Sequence, residues 1–460
     1  MIYAITFIGL VFRFILANQS FWLDEGASLM AAQVPLNHFF SYLQADFQPP
    51  LYYLLLKAWL PLAGHSEWLI RLPDILLGTL TVPLVFLLCR KVFGNTSKVP
   101  LIAALFLALN PFHAYYSQEL RMYNLSTILV LLSWLALFDK KYLWVSLLNL
   151  LGIFSFYGVG FNFVGQFLFL FSSRRKEIGK YLLSFIPTII AFMFWWPIFH
   201  RQLAGGEFMQ NALPGWKLVS GSLTLKSLLL IPIKFLIGRT SIDPQWVYFA
   251  IGGFLIFIFS VFCLLSFKDK KSRLLWFYFL TPLVVATIIS FKTPILGYWR
   301  YLYVVPPFLC LVALGIYQLP VLIRWLAIWF VCLVFIAANF YFWLTPNFHR
   351  EDWRGLSQAI NGKNALVILP FSGVFAPLTF YQTDAEYLPI QKDLGHTATD
   401  SAVVIKEKLI NHDVIFVLDY LADLADPQRE TLKAVRSLNL NETRVYYFNN
   451  VGSVYEFHNQ

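Results

Sequence analysis

Eleven stretches of this chain are apolar and long enough, or nearly long enough, to cross a lipid bilayer, and no soluble fold can bury that many. A crossing helix needs roughly 20 apolar residues. The windows fall at about residues 1–18, 68–89, 99–115, 122–138, 141–157, 159–172, 181–199, 246–267, 274–291, 300–318 and 322–344. Of 460 residues, 58% are hydrophobic, 18% aromatic and only 13% charged, which is far more apolar surface than a soluble domain of this length can hide. The reading is a polytopic α-helical membrane protein with about 11 transmembrane helices. The opening run MIYAITFIGLVFRFILA lacks a basic leader and a small-residue cleavage site, so it reads as a retained first span.

Charge then sets the orientation. The formal charge of +10 gathers in short clusters between apolar runs: CRKVFGNTSK, DKK, SSRRKEIGK, KDKKSR and Arg324. Threading the spans alternately puts all of them on one side, which the positive-inside rule makes the cytoplasm. This accounts for the basicity without nucleic acid as a partner. A plasma (inner) membrane protein with a cytoplasmic N-terminus follows. The opposite, extracytoplasmic side receives a first loop over residues 19–67, the turn HAYYSQELRMY, a loop over 200–245, the turn TPILGYWRY and the tail from Thr345. Cys89, Cys263, Cys310 and Cys332 lie in or at the ends of apolar runs without CxxC spacing, so they read as small core residues, with no disulfide framework or zinc site implied.

The first loop carries ASLMAAQ and PLYYLLLKAWLPLAG, whose apolar residues recur at helical spacing and suit helices lying in the interface. From Thr345 the character changes. REDWRGLSQAI reads as an amphipathic helix, ALVILP and DVIFVLDYL as buried strands, RETLKAVRSL as a helix, and RVYYF with SVYEFH as a hairpin across NNVG. Residues 1–344 are therefore expected to form a transmembrane domain and residues 345–460 a small extracytoplasmic α/β domain. No repeat or low-complexity tract is visible.

Polar groups cluster at the outer face. Asp24 and Glu25, in FWLDEGASLM, stand just after the first span, where a carboxylate pair is costly to hold and points to chemistry; capping an interfacial helix would also explain them. Asp46 sits in ADFQPPLYY, where two prolines stiffen its presentation, as they would for any loop acid. The turn PFHAYYSQELRMY holds His113, Tyr115, Tyr116, Gln118, Glu119, Arg121 and Tyr123. Glu119 and Arg121 could neutralise each other; alternatively, guanidinium binds phosphate oxygens bidentately and a neighbouring Tyr adds a hydrogen bond. GYWRYLYVVPP repeats the theme with Arg300 and Tyr301, where Arg300 could equally be a snorkelling anchor. Arg71, in WLIRLPD, could serve the acids as counter-ion or snorkel in the same way.

At these residues the chain resembles the GT-C superfamily of membrane glycosyltransferases, and within it the protein O-mannosyltransferase and lipid A aminoarabinose transferase group, of glycosyltransferase family 39 type. The matching pieces are LDEG, DFQPPLYY, IRLPD, NPFHAYYSQELRMY and WRYLYVVPP, in order over about the first 310 residues. The resemblance implies a polyprenyl-phosphate sugar donor and inverting transfer to an acceptor hydroxyl of a protein, lipid or glycan at the outer face. It implies Asp24 as general base with Glu25 in support. Asp46, Glu119 and Arg71 would then provide acidic support or meet the acceptor, and Arg121, Tyr123, Arg300 and Tyr301 would hold the donor phosphate. Gln48 stands where relatives often carry His, and a neutral amide is a weaker ligand, so the one cofactor left open, a divalent cation, has this residue against it. A polysaccharide ligase or polymerase of the same superfamily stays open. So does a flippase for lipid-linked sugars, although transporters favour internal repeats and midplane sites.

Overall fold

Every one of the eleven apolar windows carries a helix in the computed structural model, which describes residues 1–212, 215–370, 376–381, 383–390, 401–409, 411–438 and 440–458. Among the described residues five helical stretches pass the length and hydropathy requirement for crossing alone: Glu67–Phe93, Gln245–Lys268, Lys270–Ile289, Tyr298–Tyr317 and Val321–Leu344. Arg175–Leu183 with Ile186–Asn211 form a sixth, bent by 41°. Ile2–Phe14, Val99–Leu109, Tyr123–Phe138 and Tyr142–Ser155 are apolar but shorter. The chain is thus a multi-pass membrane protein, with helices at all the expected places and full bilayer length at only some of them.

Two compact units emerge. The first comprises Met1–Ala17, Leu43–Gln202 and Leu218–Thr345, the second Asn18–Tyr42, Leu203–Lys217 and Pro346–Gln460.

Polar pairs and close backbone approaches hold the helices of the first unit together, as expected where burying apolar surface gains little against lipid. Ser133 donates to Asn149 at 2.7 Å, Asn149 to Gln166 at 3.0 Å and Gln166 back to Ser133 at 2.7 Å, a closed triangle across three helices. A Cβ added at Gly315 would lie 1.6 Å from the Phe262 carbonyl oxygen, so only glycine lets these two helices cross so closely. At one end the basic connections meet: Lys91 pairs with Asp139 at 2.8 Å, Lys140 with Glu177 at 3.2 Å, and Arg174 donates to the Phe138 carbonyl at 2.9 Å.

The 200–245 segment, expected as a loop, is largely helical. The Ile186–Ala212 helix runs into it, and LKSLLLIPIKFLI forms a helix of its own, Leu225–Ile237. Thr224 starts that helix by accepting the Ser227 N–H at 3.0 Å, and Gly238 ends it with φ 68°. Lys226 and Lys234 had hidden it from a search for uninterrupted apolar runs.

The second unit is built on a five-stranded sheet of order β2-β1-β3-β5-β4. The strands are β1 (Ala365–Leu369), β2 (Glu386–Pro389), β3 (Val414–Leu418), β4 (Asn441–Phe448) and β5 (Gly452–His458). β1 pairs in parallel with β2 and β3, and the β4–β5 hairpin adds on antiparallel. ALVIL and VIFVL are unbroken apolar runs because both faces of β1 and β3 are covered. Trp353, Leu356 and Ile360 of the Trp353–Ile360 helix pack on one face with Leu378, and Ile405, Leu409, Leu432 and Val435 pack on the other. The expected helices, strands and hairpin of the tail are all present. This unit also takes in the acidic segment of the first loop, whose Leu23 packs on the first of those cores.

Candidate active site

Asp24 and Glu25 occupy the first turn of the Leu23–Gln33 helix, where backbone N–H groups favour acids. Glu25 is fully buried and accepts the Trp22 N–H at 3.3 Å. Glu351 accepts the next N–H, that of Leu23, at 3.0 Å, together with Trp353 Nε1 at 2.7 Å and the Tyr420 hydroxyl at 2.9 Å. Capping of these two N–H groups therefore falls to Glu25 and Glu351, while Asp24, half-buried, follows Leu23 in the same turn.

The strand of chain leading into this helix is clasped along its length. Gln19 accepts the Arg350 N–H at 2.7 Å, Ser20 the Arg354 N–H at 3.1 Å, and the Asn18 carbonyl an Arg354 guanidinium N–H at 2.9 Å. The Phe21 N–H donates to the Tyr381 hydroxyl at 2.9 Å, and the Phe21 ring meets Phe380 edge-on at 4.8 Å. Arg350, itself buried, completes the clasp with an ion pair to Glu25 at 3.5 Å. Arg350→Ala would strip a charge partner from a buried carboxylate, which costs on the order of 3 kcal/mol. A lowered melting temperature of the detergent-solubilised protein is expected, with Arg350→Lys closer to the parent.

In the membrane unit the turn PFHAYYSQELRMY divides its labour. Arg13, fully buried, donates to the Gly9, Ala108 and Leu107 carbonyls at 2.8, 3.2 and 3.2 Å, to Ser117 Oγ at 3.2 Å, and to His113 Nδ1 at 2.9 Å. A guanidinium only donates, so His113 carries its proton on Nε2. Gln118 donates to the Arg13 and Ile15 carbonyls at 3.0 and 2.6 Å. Gly78 leaves room for this knot, since a Cβ there would fall 2.1 Å from Ser117 Oγ. His113, Ser117 and Gln118 are thus scaffolding that fixes the end of the first helix. Tyr115, Tyr116, Glu119, Arg121 and Tyr123 make up the rest of the turn; all are buried, and Tyr116 lies edge-on to both Tyr115 at 5.0 Å and Tyr123 at 5.9 Å.

Against these tyrosines stand two cations that the sequence reading passed over. Arg239 donates to the Tyr115 hydroxyl at 2.8 Å and lies 5.3 Å over its ring. Lys234 lies 5.2 Å from the Tyr248 ring centre and 5.7 Å from that of Tyr298, and donates to the Thr240 carbonyl at 2.6 Å. Burial, and after it the Arg239 charge, brings the Lys234 ammonium down to about 7. The buried Tyr248 hydroxyl has no hydrogen-bond partner among the described residues. Both cations lie in IKFLIGR, a basic pair in a segment the positive-inside rule assigns to the wrong side, and that was the available signal.

The other candidates are spread around this unit. Tyr298, beside Arg300, brings the GYWRYLYV turn to the first one through its ring contact with Phe112 at 6.2 Å. Arg300 itself donates to the Ser220 carbonyl and lies 5.4 Å over the Trp299 ring. Tyr301 directs its hydroxyl to the Ile295 carbonyl at 2.7 Å. Arg71, fully buried, donates to the Ala17 carbonyl at 2.8 Å. Asp46 accepts its neighbour's N–H, that of Phe47, at 2.6 Å, and its turn is tied down by Gln202, which donates to the Leu43 and Gln48 carbonyls at 2.7 and 3.1 Å. Tyr157 in turn donates to Gln202 at 2.5 Å and accepts from Trp195 at 2.7 Å. Among the described residues no group of three or more His, Cys, Asp or Glu is placed to hold a metal ion.

The family model described as dolichyl-phosphate-mannose-protein mannosyltransferase matches residues 47–198. That stretch includes Arg71, Glu119, Arg121 and Tyr123. ArnT from Cupriavidus metallidurans in the apo state superposes with a TM-score of 0.58 at 13% identity, covering 99% of this chain and 97% of that one. The chain shares the fold of ArnT. The same ArnT bound to undecaprenyl phosphate gives 0.58 at 11% identity, with the same coverage of both chains. The mycobacterial arabinofuranosyltransferase AftD gives 0.50 at 14%, covering 99% of this chain and 41% of that larger one. No curated protein matches this sequence. The chain is similar to ArnT over nearly its whole length, helices and C-terminal sheet alike, whereas Asp24, Glu25, Lys234, Arg239 and Arg300 lie outside the family-model match.

Proposed function

We propose that this chain is a glycosyltransferase that takes its sugar from a polyprenyl-phosphate donor and transfers it, with inversion, to an acceptor hydroxyl at the outer face of the plasma membrane, the N-terminus being cytoplasmic. The observation that carries the reading is the pair of neighbouring cations, buried Lys234 and half-buried Arg239, set among Tyr115, Tyr248 and Tyr298. Two neighbouring cations repel each other and favour an anion beside them, and tyrosine hydroxyls there suit phosphate oxygens. ArnT, of the same fold, has been solved with undecaprenyl phosphate.

The chemistry asks for little more. Loss of a lipid phosphate from an anomeric carbon develops positive charge on the sugar and negative charge on the leaving oxygens. Lys234 and Arg239 stabilise the departing phosphate, with Arg121 and Tyr123 as further donors. Asp24 removes the proton of the attacking hydroxyl, and the Glu25–Arg350 pair and Glu351 fix its helix. Asp46, Glu119 and Arg71 support the acidic side. Purified protein given a polyprenyl-phosphate sugar and an envelope acceptor fraction should release the free lipid phosphate. An intact donor that merely changes leaflet would mean a flippase instead.

Acidity offers a second check. The donor is a phosphodiester whose charge is constant around neutrality, whereas Lys234 titrates near 7. Its ammonium is present below that value and lost above it, so donor affinity should fall as pH rises through about 7. The bound anion would push this limb somewhat higher. Lys234→Met should remove the limb and leave the weaker, pH-independent binding of Arg239; an unchanged profile in that variant would assign the limb elsewhere.

A further inference from the structure

Two crossing stretches are joined by a connection so short that it fixes the depth of its charges. Gln245–Lys268 and Lys270–Ile289 are both long and apolar enough to span a bilayer, and Asp269 alone separates them. Lys268, Lys270, Lys271 and Arg273 are exposed, and a hairpin this tight cannot lift them away from the membrane surface, so they stand at the level of the lipid headgroups. Two short turns make the reversal, Ser266–Lys268 and Lys270–Ser272. The first packs on the Val305–Tyr317 helix and the second on the Glu67–Phe93 helix, which anchors the hairpin to the bundle.

Aromatic rings hold the same level, as they do at membrane interfaces. Phe267 and Trp276 stack in parallel, 4.2 Å between centroids with planes 4° apart, and the Trp276 indole N–H donates to Ser266 Oγ at 3.1 Å, tying one arm of the hairpin to the other. Phe267 and Leu264, three residues apart, are both exposed and offer apolar surface beside Lys268.

The charges are also bare. Asp269, the one acid of the connection, accepts the Lys271 N–H at 2.8 Å, and among the described residues none of the four cations meets a carboxylate. Lys91, Lys140 and Lys180, by contrast, pair with Asp139 and Glu177. The positive-inside rule accounts for the sign of these residues. Four unpaired cations pinned at phosphate depth beside an open aromatic ring make, in addition, a seat for an anion that carries acyl chains.

We propose that this hairpin binds an anionic phospholipid, its phosphate among Lys268, Lys270, Lys271 and Arg273 and an acyl chain along Phe267 and Leu264. In the proposed orientation the leaflet is the cytoplasmic one, whose anionic lipids attract juxtamembrane lysines and arginines. Neither the sugar donor nor the transfer step enters into this binding.

The test uses the full chain in mild detergent, with bound lipid counted by native mass spectrometry as phosphatidylglycerol, or phosphatidylcholine with the same acyl chains, is titrated in. The parent should hold phosphatidylglycerol at least tenfold more tightly. Each cation near an anionic lipid is worth roughly a fivefold change in affinity, so Lys270→Gln combined with Lys271→Gln should weaken phosphatidylglycerol roughly thirtyfold and leave phosphatidylcholine unchanged. Lys140→Gln, whose parent cation is already paired with Glu177, should bind like the parent. Glycerol 3-phosphate, a headgroup without chains, should not displace the lipid. The proposal falls if the two lipids bind alike, if the double variant keeps the parent's preference, or if Lys140→Gln loses as much as the double variant, which would make the effect one of the whole basic rim. It falls equally if glycerol 3-phosphate competes at the lipid's own concentration, which would mark a site for free anions.

Discussion

Asp24→Asn is expected to lower turnover by roughly a hundred- to ten-thousand-fold, the range usual for removing a general base, while donor affinity stays near that of the parent. The substitution keeps shape and removes only the charge and the proton-accepting oxygen. It also separates the two explanations of this carboxylate cleanly. Asn caps a helix about as well as Asp, and the N–H groups of Trp22 and Leu23 are in any case met by Glu25 and Glu351, so a helix-capping role predicts nearly unchanged turnover. Release of free lipid phosphate in a single turnover, with the donor saturating, is the measurement. A rate within a few-fold of the parent would eliminate Asp24 as the base and transfer the role to Asp46, whose turn Gln202 holds in place.

Arg239→Ala should act on the other half of the reaction. Truncating one member of a buried, hydrogen-bonded charge pair costs about 2–5 kcal/mol, which corresponds to a loss of donor affinity of roughly thirty- to several-thousand-fold. Arg239→Lys keeps the charge but not the planar contact with Tyr115, and should fall between the two. Binding of polyprenyl phosphate to the solubilised protein gives the answer directly. Equal affinity in parent and Ala variant would remove the cation pair from the donor site and return attention to Arg121.

The membrane class, a helix at each of the eleven apolar windows and the strands β1, β3, β4 and β5 could be read from the sequence because each rests on a local pattern: apolar runs, alternation, or a turn such as NNVG; the short β2 carries no such pattern. The Leu225–Ile237 helix could not, since two lysines break its apolar run and one of them is buried only because Tyr248 and Tyr298 lie over it. The density of polar residues in PFHAYYSQELRMY was visible, but not how it divides. That His113, Ser117 and Gln118 serve Arg13 depends on a residue about a hundred positions earlier. In the same way, Glu25 was recognisable as an acid worth explaining, whereas its partner Arg350 lies in a segment that read simply as the start of an amphipathic helix.

The hydrogen bond between Gln19 and Arg350 joins positions 331 residues apart in the chain. A ribosome adding roughly 5–20 residues per second passes the second of them on the order of 20–60 s after the first. Throughout that interval Asp24 and Glu25 exist without the residues that clasp their helix. The nascent protein consequently carries its proposed proton acceptor on an unclasped helix until Arg350 has been made, and a chain interrupted before that point lacks the contacts that hold Asp24 and Glu25 in place.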